Sequence, residues 1–446
     1  MLKRFSVTNF SSFRDEQTFD MTASQSTTLK EHTSAFKGVN ILKSGVIYGA
    51  NASGKSNLVK AIDFTQKTIL KGLSGIDTYK KHFRLCDISP GNQSSFELEL
   101  ELNGSFYTYG FSAHLQKKIV TEEWLYATSK SGSKCIFERV NSSITLGVEL
   151  LTTEAKSRFE IYSDDMKNQS SQLFLSEIAS KELNIEAAKT INNIYKWIKD
   201  KLIIVYPDDK FNGIKSINED LTKSLTKYFK RFDTGVVDIN SIEEDFDTGF
   251  KDMPSTLKSR IENDLSNDDV SEVVLHGVGK EPQFLTVYKD SNGELKVRKL
   301  GLVHGSIIKE TFELKDESDG TRRLLDFIPL INKFTQGCTV IIDEFDRSLH
   351  PKLTREFFNL FYRVSNDYNS QLIVTTHEST LLDLELLRRD EIWFVDKGKN
   401  DSSTLFSLNK FKVRYDSKVE KAYLLGRYGA IPIFNDFDEI GAEDGI

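Results

Sequence analysis

The sequence predicts an α/β protein with a mixed, largely parallel sheet, an antiparallel β subdomain and a helical insertion. Three observations carry that expectation. From residue 321 onward, helical and strand patterns alternate, which is the signature of a parallel sheet. The run Lys43-Ser44-Gly45-Val46-Ile47-Tyr48 reads as a short buried strand, and a glycine-rich loop and a helical pattern follow it. Phe96 to Leu102 alternates strictly and ends in Asn103-Gly104, a strong hairpin signal.

In chain order, the first 40 residues read as strands, beginning with the alternating Leu2 to Thr8. Residues 95 to 128 read as an antiparallel meander. Phe174, Leu175 and Ile178 fall at helical spacing, as do Ile185, Ala188, Ile191, Ile194, Trp197 and Ile198. Residues 207 to 270 are charge-rich and read as a helical insertion, with runs at Leu221 to Phe232 and Pro254 to Leu265. Strands return over 271 to 314, with a turn at Ser291-Asn292-Gly293. The expected order then is helix 321–333, strand 338–343, helix 351–366, strand 371–375, helix 379–388 and strand 391–396. This reading divides the chain into an N-terminal lobe (1–150), a helical subdomain (151–270) and a C-terminal lobe (271–446).

Composition limits the function classes. The net charge of −7 gives no global basic footprint, so binding of DNA would need a local patch. The three cysteines, Cys86, Cys135 and Cys338, form no C-x-x-C pair, so neither a disulfide framework nor a zinc site is expected. A reducing, cytoplasmic home follows. No apolar run is long enough to span a membrane, and no signal-peptide core follows Met1. The acidic tail with Asp436, Asp438, Glu439, Glu443 and Asp444 is expected to be mobile.

Gly49-Ala50-Asn51-Ala52-Ser53-Gly54-Lys55-Ser56 matches G-x-x-x-x-G-K-[ST] at every fixed position. Small residues let backbone N–H groups close round phosphates, and the following helix start adds partial positive charge. Lys55 is expected on the β- and γ-phosphates, and the Ser56 hydroxyl on Mg²⁺, with Asn57 in the first helical turn. Thr339-Val340-Ile341-Ile342-Asp343-Glu344 is an apolar strand that ends in two carboxylates. Asp343 is placed to hold Mg²⁺ through water, and Glu344 to act on the attacking water. His377, at the tip of another apolar strand, is expected to donate to the γ-phosphate. Ser318 and Gly320 open a helix and form a second candidate anion site. One loop suffices per nucleotide, so a second site suggests that two copies of the chain share each ATP.

These segments, in this order, resemble the ABC-type ATPases of the SMC, RecF and OLD group. Phe5 to Phe13 resembles the group's opening strand motif, and Ser318-Asp319-Gly320 its signature, usually Ser-Gly-Gly. Asp346 to Pro351 is similar to the D-loop region and His377 to the switch histidine. No Q-loop is assigned; Lys81-His82-Phe83-Arg84-Leu85 is the nearest candidate and contains no Gln. Tyr48 to Asn57, Phe232-Asp233-Thr234-Gly235-Val236, Ile392 to Val395 and Tyr423 to Pro432 look like the RloA/AbiL-type bacterial AAA-family ATPases; the ATPase of the PARIS system is a related match. The resemblance implies an ATP-sandwiched homodimer or higher oligomer and ATP hydrolysis with Mg²⁺. It also implies a role as sensor or regulator in anti-phage abortive infection, beside a separately encoded nuclease or toxin. A RecF- or SMC-like DNA-handling ATPase is the alternative. OLD-type proteins carry a metal nuclease domain after the ATPase. Only 14 residues follow Pro432, so any cutting is expected from a partner.

Overall fold

The computed structural model describes residues 1–86, 91–129, 132–151, 156–183, 185–209, 217–251, 253–267, 270–276, 284–398, 400–412 and 418–431. The acidic tail and Pro432 lie outside them. The chain divides into two compact units. The first comprises Met1–Ile204, Gln336–Phe345 and Phe361–Ile446, and the second Val205–Thr335 and Asp346–Leu360. These divisions fall at other places than 150/151 and 270/271, because the chain leaves and re-enters each unit.

The first unit is built on a six-stranded sheet ordered Leu202–Val205, Thr339–Ile342, Gln371–Thr375, Ser44–Tyr48, Ile392–Lys397, Ser403–Ser407. The strands from Thr339–Ile342 to Ile392–Lys397 are parallel, with Ile341 opposite Ile373, Ile373 opposite Gly45, and Trp393 opposite Ile47. The edge strand Ser403–Ser407 is antiparallel to Ile392–Lys397. Strands buried on both faces carry continuous apolar runs rather than alternation. Accordingly, every residue of Ser44–Tyr48, Thr339–Ile342 and Gln371–Thr375 is buried. A seven-stranded antiparallel sheet accompanies it. Its order is Ser143–Leu146, Gly132–Val140, Ile119–Ser129, Ser105–His114, Ser94–Leu102, Leu2–Thr8, Gln17–Asp20. The expected meander is its centre, and the turn at Asn103-Gly104 has both residues at positive φ.

Helix Lys55–Lys71 starts directly after the glycine-rich loop and buries Leu58, Val59, Ala61 and Ile62. Gln66 donates to the Ile198 and Leu202 carbonyls, both at 2.7 Å, tying this helix to the end of helix Glu186–Asp200. The helical spacing of Ile185 to Ile198 is therefore realised, with Ala188, Ile191, Ile194 and Ile198 buried.

The second unit contains a five-stranded antiparallel sheet: Val236–Asp245, Leu295–His304, Phe284–Lys289 and Glu272–His276 in order, with Glu310–Glu313 paired to Leu295–His304. Helices Glu219–Arg231 and Ser255–Leu265 form within the charge-rich stretch as expected. The stretch is not wholly helical, however, because the ten-residue strand Val236–Asp245 lies between them. Its acids had masked its β character. They meet basic partners across the ladder: Glu243 pairs with Arg298 at 2.8 Å, Glu244 with Lys299 at 2.7 Å and Asp245 with Lys296 at 2.6 Å. Opposite charges facing each other on a sheet stabilise the pairing. Asp233 and Gly235, both at positive φ, turn the chain from helix Glu219–Arg231 into this strand.

Residues 379–388 also depart from expectation. Only a 3-10 turn, Ser379–Leu381, forms. The Glu378 carboxylate accepts the Thr380 N–H and the Asp383 carboxylate the Glu385 N–H, local bonds that compete with a helical ladder. Leu381, Leu382, Leu384, Leu386 and Leu387 are all buried, so no single helical face would serve them.

The Glu243–Arg298 pair sets a measurable pH dependence. Hydrogen bonds from Arg298 and then Tyr288 outweigh a small burial cost and hold the Glu243 carboxyl below its usual range. A carboxyl with a lowered folded pKa contributes stability above its unfolded value, and loses it as pH falls through the folded value. Replacing Glu243 by Gln is expected to cost about 0.5 kcal/mol at neutral pH. The deficit should vanish as the pH is lowered through the acidic range. Urea unfolding of both chains at neutral and acidic pH reads this out; equal deficits at both would show that the Glu243 ion pair contributes nothing.

Candidate nucleotide-binding site

The loop after strand Ser44–Tyr48 tolerates almost no side chains. A Cβ on Gly49 would lie 2.4 Å from the Val395 carbonyl and 2.5 Å from Ser53 Oγ. Gly54 has φ +116°, and a Cβ there would lie 2.2 Å from Ser403 Oγ and 2.7 Å from Ser12 Oγ. Ala52 also takes a left-handed backbone, at φ 62°. Asn51 and Ala52 are exposed on the loop, whereas Ser53, Gly54 and Lys55 are buried.

Helix Lys55–Lys71 begins with Gly54 as its cap, which offers no side chain, and its first turn contains no acid. Its first N–H groups and the positive end of its dipole therefore face an anion-accepting position. Lys55 is 6% exposed and donates to the Gly49 and Ala50 carbonyls at 2.8 and 3.1 Å. Its ammonium thus lies over the loop. The buried Ser53 hydroxyl has no hydrogen-bond partner among the described residues, an orphan that a phosphate oxygen would satisfy.

Two strand ends and the start of a helix meet at Asp343. Its buried carboxylate accepts the Ser56 hydroxyl at 3.1 Å and the Thr375 hydroxyl at 2.5 Å. Thr375 in turn accepts the Glu344 N–H at 2.9 Å, and Phe345 N–H donates to the Thr375 carbonyl. Glu344 is partly exposed and sits at φ 49°. This left-handed backbone is uncommon for a non-glycine residue. Backbone strain of this kind clusters at functional sites. Ser56 and Asp343 offer hard oxygen donors side by side, a set that suits Mg²⁺. Among the described residues, no group of three or more His, Cys, Asp or Glu side chains could hold a metal by itself. His377 is exposed immediately beyond strand Gln371–Thr375, at the same carboxyl edge of the sheet as Gly49 and Asp343. Ligands of α/β sheets collect at that edge.

Sequence reasoning missed three residues. Thr375 was visible only as the end of an apolar strand. Ser12 and Ser403 support the phosphate loop from outside. Ser403 donates to the Ser53 carbonyl and is linked to Ser12 at 2.7 Å, while Asn57 donates to Ser12 at 2.8 Å. Ser12 lies inside the Phe5 to Phe13 segment, the one signal that could have found it.

A family model described as "AAA domain, putative AbiEii toxin, Type IV TA system" matches residues 46–383. The chain belongs to that family. The match starts in the strand before the phosphate loop and extends past His377, so all four site segments of this AAA chain lie within it. No curated protein matches. Among solved structures, the AAA chain is similar to an SmcHead bound to the C-winged helix domain of ScpA (12% identity, TM-score 0.39, covering 91% of this chain and 97% of that one). It is also similar to the SMC head domain from Thermotoga maritima (13%, 0.34, 91% and 98%). A third similar structure is an Smc head with an extended coiled coil, bound to the C-terminal domain of ScpA derived from Pyrococcus furiosus (12%, 0.38, 96% and 98%).

Ser318 and Gly320 belong to the second unit of the AAA chain. Ser318 caps helix Asp319–Phe334, its hydroxyl accepting the Thr321 N–H at 3.1 Å, and Asp319 pairs with Arg322 at 3.0 Å. A Cβ on Gly320 would lie 2.9 Å from the Ser348 carbonyl, in the Asp346 to Pro351 segment.

Two substitutions test the geometry. Gly54→Ala adds a Cβ where φ and space both forbid it, and should abolish measurable ATP binding in calorimetry. Near-normal affinity would show that the loop adapts. Thr375→Val deletes the hydroxyl shared by Asp343 and the Glu344 N–H. It should cost about 1–3 kcal/mol in denaturant unfolding, with recovery in Thr375→Ser.

Proposed function

We propose that the protein is an ABC-type ATPase that binds and hydrolyses ATP, and acts as sensor or regulator of an anti-phage abortive-infection system. It would control a separately encoded effector, a nuclease or toxin. The observation that carries the ATPase part is the Ser56–Asp343–Thr375 cluster. It joins Ser56 of the phosphate loop directly to the Asp343 carboxylate and, through Thr375 of the neighbouring strand, to the Glu344 backbone. Membership of a family described by an AbiEii toxin and a Type IV TA system supports the defence part.

In this reading, loop N–H groups from Asn51 to Ser56 and the Lys55 ammonium bind the β- and γ-phosphates. Ser56 and Asp343 would hold Mg²⁺, which would offset phosphate charge. Glu344, its backbone fixed by Thr375, orients a water and accepts its proton as the water oxygen bonds the γ-phosphorus. The bond to the β–γ bridging oxygen breaks, and His377 donates to the departing phosphoryl oxygens. Ser318 and Gly320 of a second copy close the site from the opposite side, so that ATP joins two protomers. Among the described residues no helix is long and apolar enough to cross a membrane.

The test uses three variants in phosphate-release, ATP-binding and light-scattering measurements. Lys55→Ala should lose ATP binding. Glu344→Gln should lower turnover by about 100- to 10,000-fold and accumulate an ATP-bound dimer. Ser318→Arg should retain ATP uptake while losing hydrolysis and dimerisation; wild-type turnover in that variant would rule out the shared site. A pull-down from phage-challenged cells tests the regulatory role. Recovery of a nuclease or toxin supports it, and recovery of chromosomal DNA alone favours the DNA-handling alternative.

A further inference from the structure

The closing part of the first unit carries cations that the ATP chemistry leaves unused. Lys412, Lys418, Lys421 and Arg427 line one concavity of about 560 Å³ together with Phe411 and Tyr428. All four cations are exposed. Among the described residues, none has a carboxylate within ion-pair distance. The sequence-adjacent Glu420 is engaged by the Ser379 hydroxyl at 3.0 Å. In a chain of net charge −7, four exposed cations around one hollow, with no ion-paired carboxylate among the described residues, form a local positive field that selects an anion.

The floor beneath them is rigid. Tyr428 packs edge-on to Phe411 at 5.1 Å and stacks on Phe394 at 5.7 Å. Gly426 and Gly429, both at positive φ, form the turns on either side of Arg427 and Tyr428. A Cβ on Gly429 would lie 2.7 Å from the Asp396 carboxylate, which also accepts the Ala430 N–H at 3.0 Å. Tyr423 donates to the Ala430 carbonyl at 3.1 Å. Burial, reinforced by the Asp396 charge, pushes its phenol up to about 12, so this bond persists at all physiological pH values. The turn thus presents exposed Arg427 next to buried Tyr428, which packs against the half-buried Phe411 ring.

From this arrangement we infer that the concavity binds the phosphodiester backbone of a single-stranded nucleic acid. Several cations around one hollow match a ligand with a charge at every nucleotide, whereas an isolated phosphate engages one or two. The Phe411 ring supplies a surface on which a base can stack, and a single strand exposes base faces to it. The inference is independent of the ATPase reading, since none of these residues belongs to the phosphate loop or the Asp343 cluster. The floor is nonetheless continuous with the loop: Tyr423 and Phe394 pack on Tyr48, the residue before Gly49, with ring centroids 5.8 and 6.1 Å away.

Fluorescence anisotropy of a labelled oligodeoxythymidine of about 16 nucleotides against the full chain tests it. With four phosphates engaged, log K should fall with log salt at a slope of about −3. Lys418→Glu with Lys421→Glu should weaken binding at least tenfold. Lys30→Glu with Lys117→Glu, the same charge change at exposed positions elsewhere, should leave it unchanged. Lys55→Ala should lose ATP but keep the oligonucleotide, which separates this inference from the ATPase reading. Absence of binding, equal loss in both double variants, or displacement by polyglutamate of matched charge would overturn it. The last outcome would instead point to an acidic protein partner.

Discussion

The Asp343 carboxylate, accepting hydroxyls from Ser56 and Thr375, holds the centre of the first unit together. A carboxylate at 3% exposure needs donors, because a buried charge without them is strongly disfavoured. Here one donor comes from the neighbouring strand and the other from the start of helix Lys55–Lys71. Strand Gln371–Thr375 lies between strands Thr339–Ile342 and Ser44–Tyr48, so one threonine can reach Asp343 while also receiving the Glu344 N–H. The phosphate loop, the paired carboxylates and the segment before His377 thereby acquire fixed relative positions. Sheet order alone would bring them close; the hydroxyl bridge sets their register to within a hydrogen bond.

The loop is shaped by two kinds of constraint. Gly49 and Gly54 are required because neighbouring atoms occupy the space a Cβ would need. Ser12, Ser403 and Asn57 then hold the loop by hydrogen bonds from outside. Glycine lets the loop backbone lie directly against these neighbours, and the serines limit the freedom that glycine would otherwise confer. In the second unit, the charged strand Val236–Asp245 works differently. Its order depends on complementary charge across the ladder as much as on buried Val236 and Ile239.

Much of the site was legible because its signals are local. Four buried strands read as apolar runs, and the phosphate loop is contiguous in sequence. Asp343-Glu344 and His377 lie at one edge of the sheet, a placement legible in the sequence because each follows such a run. Ser403 was not, since Ser403-Thr404-Leu405-Phe406-Ser407 has only two apolar residues and its partner Ser12 lies 391 residues away. Strand Val236–Asp245 was hidden because the partners that neutralise its acids lie about 50 residues downstream, beyond the reach of any window. Residues 379–388 misled in the opposite sense: five leucines at near-helical spacing are buried all round a chain that Glu378 and Asp383 fold into turns.

The Ser403 contact places part of the loop's support on the edge of the sheet. Strand Ser403–Ser407 has one neighbour in that sheet, Ile392–Lys397, and its other side is met by the N-terminal segment. There, Ser403 N–H donates to the Ser12 carbonyl and Leu405 N–H to the Gln17 side chain. Edge elements are where local opening is easiest. Any opening of that hairpin withdraws the Ser53 and Ser12 bonds together and releases the loop. Phosphate binding and edge closure are then thermodynamically linked: a ligand that requires the closed loop protects the amides of the 392–407 hairpin. The order of the phosphate loop is limited by the local stability of a strand more than 340 residues further along the chain.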